Sequence, residues 1–197
     1  MPRMTKIVGP FLERLKTLYA EMDAAYAAAA DHYGFHCTGC TDNCCLTRFY
    51  HHTHLEYRWL EKGFRQLPPE ERERIRGRAE AARKDMAVAE RGGGLIRVMC
   101  PLNEGGLCVL YAFRPMICRL HGIEHELRLP GRPPARGPGC EAFTRLAAGR
   151  PYHSFDRTPF YRGMALLENE LKETAGTASR LKLTVAEMIL TFEEPLE

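Results

Sequence analysis

Four cysteines fall within nine residues, in the run H-C-T-G-C-T-D-N-C-C from His36 to Cys45. They are Cys37, Cys40, Cys44 and Cys45. Four more follow at Cys100, Cys108, Cys118 and Cys140. Cys37-x2-Cys40 is a chelating turn: two thiolates two residues apart point at one ion, and Gly39 eases the tight bend. By itself this spacing is shared by zinc sites, iron–sulfur sites and redox dithiols. The continuation to Cys44 and Cys45, with four cysteines downstream, raises its specificity for metal. Adjacent cysteines rarely serve one tetrahedral ion comfortably. Cys44 and Cys45 therefore point to different centres, or one ligates while the other packs. Eight thiolates fill two four-sulfur sites, or one cluster and one other site. Proline after Cys100 stiffens its turn and is familiar beside bacterial ferredoxin ligands, which tips the balance slightly to iron. Cys140 is the expected eighth ligand.

The histidines are weaker candidates. His51, His52 and His54 cluster, and His32, His36 and His121 lie near cysteines. Histidine ligates zinc and sometimes replaces cysteine in clusters. Eight cysteines already complete two sites, so exposed or supporting histidines are the expectation, with His36 and His121 the first choices if one ligates.

Helices must carry these residues. Over residues 7–31, Val8, Phe11, Leu12, Leu15, Leu18, Tyr19, Met22, Ala25, Tyr26 and Ala29 form an apolar stripe. Pro10 falls in its first turn and Gly34 is the stop. This helix delivers the chain to the cysteine run. Residues 46–66 read as helical with a restart near Thr53, which has capping-box spacing to Glu56. Pro69 opens a charged, mostly solvated helix over 70–90. Leu95–Cys100 and Leu107–Leu110 read as two short strands of a small hairpin. Pro115 starts a helical turn carrying Cys118, Arg119 and His121. Residues 130–139, P-G-R-P-P-A-R-G-P-G, read as a surface loop without helix or sheet. C-terminal helices span 158–192: Thr158-Pro159 is an N-cap with first-turn proline, Gly176 is a terminator, and Thr184 with Glu187 is another capping box. The expected fold is mainly α: an irregular helical scaffold with a small β-hairpin, built around a cysteine-ligated metal site. No repeat or boundary is visible, so residues 1–197 read as a single domain.

Composition bounds the function. The 197 residues suit one domain with its own core, and 45% hydrophobic with 27% charged residues is ordinary. A net charge of +3 argues against a dedicated nucleic-acid or membrane surface. No secretory signal and no apolar run of membrane-spanning length appear, which makes the cytoplasm the expected location. In a reducing cytosol eight thiols are metal ligands or redox groups. The alternative, a four-bridge disulfide framework, sits poorly with the length and the missing export signal.

The cysteine run, Cys100-Pro101, and G-L-C-V-L-Y-A-F-R-P-M-I-C-R at 106–119 together resemble the YkgJ-type cysteine-cluster family. Its proteins are described as zinc- or iron-chelating, with the motif C-x-x-C-x-x-C-C. The resemblance covers residues 37–122, extending to Cys140 as the metal-chelating region. One departure stands out: three residues, Thr41, Asp42 and Asn43, separate the second and third cysteines where the family has two. The resemblance implies a metal centre on a mostly helical scaffold, holding an iron–sulfur cluster (such as 4Fe–4S) or zinc. It implies no reaction. Arg114 and Arg119 accompany the motif, and their guanidinium groups would neutralise a thiolate-rich centre. Tyr111 reads as packing. The leading expectation is a metal-binding protein with a structural or electron-transfer role and an unidentified protein or redox partner. One alternative is a metal-dependent redox or group-transfer enzyme, for which no GxGxxG, P-loop or H-E-x-x-H appears. Another is a zinc-folded interaction module presenting the loop from Arg132 to Arg136.

Overall fold

The first helix, α1, runs over Pro2–Tyr33. It is seen in a computed structural model that describes residues 2–37, 44–93 and 95–192. Leu15, Tyr19 and Met22, spaced by four and three, are buried, as are Ala29 and Ala30. The helix begins well before residue 7. Pro10 therefore sits inside it and forfeits one interior backbone bond rather than occupying the first turn. Gly34 ends it at φ 63°, where the Phe35 amide donates back to the Ala30 carbonyl at 2.9 Å. Only glycine takes that left-handed conformation without strain, so the terminator was readable in advance.

Among the described residues there are seven α-helices and two small antiparallel hairpins, so the fold is mainly helical. Contacts divide the chain into two compact units. The first comprises Met1–Cys40 with Met116–Ser179, and the second Thr41–Pro115 with Arg180–Glu197.

In the first unit α1 packs against α4 (Met116–Leu120) and α6 (Thr158–Ala175). Gly163 on α6 lets Leu18 approach, since an added Cβ would lie 3.1 Å from it. Thr158 opens α6 but does not cap it. Its amide is taken by Asp156 Oδ1 at 2.9 Å, and its own hydroxyl accepts from the Arg128 amide at 2.7 Å. Strands β3 (His125–Leu127) and β4 (Ala135–Gly137) pair antiparallel, with Glu126 opposite Arg136. This corrects the reading of 130–139 as a loop without sheet. The prolines at 133, 134 and 138 flank the strand and leave the three residues between them able to pair. A further helix, α5 (Glu141–Ala147), follows Cys140.

In the second unit α2 (His54–Phe64), α3 (Pro69–Arg91) and α7 (Val185–Thr191) enclose Leu60, Phe64, Ile75, Ala79, Met188 and Ile189. Thr53 caps α2 through the Glu56 amide, and Pro69 opens α3, as their types require. The α3 helix is charged on most of its surface, yet Ile75, Ala79 and Ala82 bury one face. Residues 95–100 are not a hairpin strand. The hairpin is shifted along the chain to β1 (Asn103–Glu104) and β2 (Leu107–Cys108). Gly105 and Gly106, at φ 58° and 91°, supply the two positive angles of its two-residue turn. Arg97 pairs instead with Thr47, a partner 50 positions away that no local pattern reveals.

The Thr184–Glu187 capping box is complete: Thr184 Oγ1 accepts from the Glu187 amide at 3.3 Å, and Glu187 accepts from the Thr184 amide at 2.7 Å. Thr184→Ala is expected to destabilise the protein by about 1 kcal/mol, read from the shift of its urea midpoint at unchanged slope.

Candidate metal centre

Cys44 and Cys45 begin a short 3-10 turn over Cys44–Leu46. The Cys45 carbonyl accepts from the Cys100 amide at 2.9 Å, beside the Thr47–Arg97 bridge. From Cys100 the chain turns at Pro101: the Asn103 amide donates to the Cys100 carbonyl at 3.0 Å. The β1–β2 pairing then sets Asn103 opposite Cys108. Leu102 and Leu110 anchor both segments in the core of the second unit, and Cys100 and Cys108 pack on that core.

These thiols act on one another. Cys45 is held down to about 6, chiefly by a hydrogen bond with Cys44, then by the Asn103 side chain and the Arg114 charge, against the opposing effect of burial. Cys100 goes the other way. Burial pushes it up to about 12, aided by Cys45 and Cys108 and resisted by the Leu102 backbone. Cys108 is also raised by burial, with Cys45 adding to the rise while the Leu110 backbone and Arg114 oppose it. At Cys100 and Cys108 alike, the backbone two residues on hydrogen-bonds the sulfur and favours the thiolate.

The surroundings fit a group carrying more negative charge than neutral thiols. Arg78 Nε and Nη2 are buried donors with no hydrogen-bond partner, while its Nη1 is ion-paired with Glu104 at 2.5 Å. The Asn103 side chain bears on Cys45 and the Arg78 charge on Cys100. Buried donors left unmatched are costly, and thiolate sulfurs would match them. Thiolate ligands gain stability from such surrounding donors. Among the described residues, however, no group of three or more His, Cys, Asp or Glu is arranged to hold a metal ion. No disulfide joins the described cysteines.

In the first unit Cys118 lies on α4 and Cys140 caps α5, its sulfur accepting from the Phe143 amide at 3.5 Å. The Cys140 amide donates to the Gly122 carbonyl at 2.8 Å, so the segments carrying Cys118 and Cys140 are tied together. Cys37 is exposed, just after Phe35, whose ring meets Phe143 edge-on at 5.4 Å. Cys40, Gly39 and the Thr41–Asn43 spacer lie outside the described residues.

The two arginines take different places. The Arg114 guanidinium lies 3.5 Å over the Tyr111 ring and donates to the Tyr111 carbonyl at 3.0 Å, within electrostatic reach of Cys45 and Cys108. Arg119 is buried, ion-paired with Asp23 at 2.6 Å and set 4.2 Å over the Tyr19 ring. Tyr111 itself is exposed. Arg78 and Asn103 escaped sequence reading: Arg78 looks like one charge among many on α3, and only the fold brings it near Cys100.

The histidines divide as well. His36 is exposed. His51 is buried with Nδ1 3.6 Å from the Glu56 carboxylate, and its backbone pairs with Leu183. His52 Nδ1 lies 3.2 Å from the Leu181 carbonyl, and His54 opens α2. His32 stacks on His153 at 4.1 Å. His121 is pushed down to about 4 by burial, with the Arg157 and His125 charges adding to the effect. Arg157 is itself buried and donates to the Leu120 and Ile123 carbonyls.

Comparison with protein-family models, with curated proteins and with solved structures finds no match.

Two outcomes follow. In metal-free, reduced protein at pH 7, an alkylating reagent should label Cys45 well before Cys100, as peptide mass mapping over time would read; the thiolate is the nucleophile. His121 is depressed relative to about 6.5 in an unfolded chain, so protonation favours unfolding. Its contribution is complete above pH ~6.5 and is lost as pH falls toward ~4, by as much as about 3 kcal/mol. Urea midpoints of wild type and His121→Gln at pH 7 and pH 4.5 should show the variant losing less on acidification.

Proposed function

We propose that the protein binds a thiophilic metal centre through its cysteines, an iron–sulfur cluster or zinc, in a structural or electron-transfer role. The observation that carries this reading is the backbone pairing that sets the Cys45, Cys100 and Cys108 segments side by side, where the thiols perturb one another near the unmatched Nε and Nη2 of Arg78. Ordinary core thiols have no use for such donors, whereas a centre with thiolate ligands matches them. The resemblance of the cysteine run and of R-P-x-x-C-R to the YkgJ-type family points the same way. All eight cysteines remain ligand candidates in this reading, and Arg114 is the arginine best placed to offset thiolate charge. A centre with four thiolates per metal site has no vacant position, which is why electron transfer or structure is favoured over substrate binding. The thiols require a reducing compartment, in keeping with a cytoplasmic protein.

Elemental analysis of the full chain, purified without oxygen, tests this. Iron with inorganic sulfide and a brown absorbance at about 400 nm identifies a cluster. Colourless protein with stoichiometric zinc identifies zinc. Protein that retains neither, and takes up neither zinc nor iron with sulfide on reconstitution, overturns the proposal.

A further inference from the structure

We infer that residues 95–99 form a docking edge in the second unit, which takes up an extended peptide of a partner protein as an added β-strand with an acidic residue opposite Arg97.

The main chain argues first. Burial alternates over residues 95–100: Leu95, Arg97 and Met99 are exposed, while Ile96, Val98 and Cys100 are half-buried. A period of two is that of extended backbone, and Val98 packs on the core of the second unit. One side of the segment meets residues 45–47, through the Thr47–Arg97 bridge and the Cys100 amide on the Cys45 carbonyl. Successive residues of an extended chain direct their amides and carbonyls to opposite sides. Cys100 directs its amide to Cys45, so Leu95 and Met99 direct theirs to the other side. Neither makes a main-chain hydrogen bond to any described residue. Such an edge is a template for a further strand.

The side chains argue second. Leu95 is 83% exposed and Met99 39%, apolar surface of the kind that an open edge leaves to a partner. They flank Arg97 two residues away on either side, so all three share one face of the segment. An added strand sets its own residues opposite them. Opposite charges in such a cross-strand pair stabilise it and like charges destabilise it. The matching peptide therefore reads apolar-x-acidic-x-apolar.

The same charge argues against a second copy as the occupant. The two-fold antiparallel register that pairs all three outward residues sets Leu95 of one copy opposite Met99 of the other, and Arg97 opposite Arg97. Two guanidinium groups directly opposite repel. The arginine that selects an acidic peptide thus keeps the edge from pairing with itself. None of this requires a bound metal.

The test exposes the full chain, reduced and as purified, to an array of heptapeptides T-x-T-x-T-x-T with the three x positions varied, and measures the best binder by fluorescence anisotropy. Binders should carry Asp or Glu at the central x and apolar residues at the other two. Lys at the central x should weaken binding about fivefold. Arg97→Glu should reverse that preference. Met99→Pro, which removes an amide on the open edge and leaves the Cys100 amide in place, should weaken binding about tenfold. In wild type the peptide should slow hydrogen exchange at the Leu95 and Met99 amides, a readout needing no variant. Absence of any binder, indifference to the central charge, an unchanged preference in Arg97→Glu, or binding without added protection over 95–99 overturns the inference. So does a wild-type dimer that Met99→Pro dissociates, which gives the edge to a second copy. If Met99→Pro loses its helical circular dichroism, Arg97→Glu and hydrogen exchange decide.

Discussion

A thiol packed against a hydrophobic core ionises only where hydrogen-bond donors or cations replace water. The second unit is arranged around that constraint. Cys100 and Cys45 are joined by a backbone bond, yet one is pushed up to about 12 and the other held down to about 6. Burial dominates at Cys100. At Cys45 the Cys44 contact, the Asn103 side chain and the Arg114 charge outweigh it. Bringing Cys100 to its thiolate form would require more positive charge than Arg78 alone delivers. A bound cation is the ordinary way to deprotonate a buried thiol, because the ion's own charge exceeds anything side chains provide.

The same constraint recurs in the first unit with the opposite sign. Arg157 is a buried cation held on two carbonyls, Leu120 and Ile123, just beyond the helix that carries Cys118. Desolvation pulls its pKa down to about 10, and its charge helps to keep His121 and His125 neutral. At His121 burial is the larger effect and the Arg157 charge the smaller. Its neutrality is explained by burial and by Arg157 without any metal.

What could be read in advance was what short-range stereochemistry dictates. Gly34 and Gly176 end helices in the left-handed conformation, Pro69 starts one, and the Thr184–Glu187 box closes as spaced. What could not be read depends on distant partners. Residues 95–100 carry strand-like side chains, but their pairing is decided by Cys45 and Thr47. The pairing of 135–137 is hidden inside a proline-rich run because three free amides suffice for a short strand. Arg114 and Arg119 look equivalent beside the motif, yet Asp23, 96 residues away, engages Arg119 while Arg114 lies over Tyr111 with its charge reaching Cys45 and Cys108. Arg78 and Asn103 carry no sequence mark at all.

The apolar core beside the cysteines bears on what a metal would do. Leu60, Phe64, Ile75, Met188 and Ile189 are buried by α2, α3 and α7, and none of those helices carries a cysteine. Small metal-dependent domains unfold without their ion because the site substitutes for a core. Here the core exists apart from the thiols, and Cys100 and Cys108 rest on it through Leu102 and Leu110. The scaffold on which Cys100 and Cys108 rest is therefore in place without a metal.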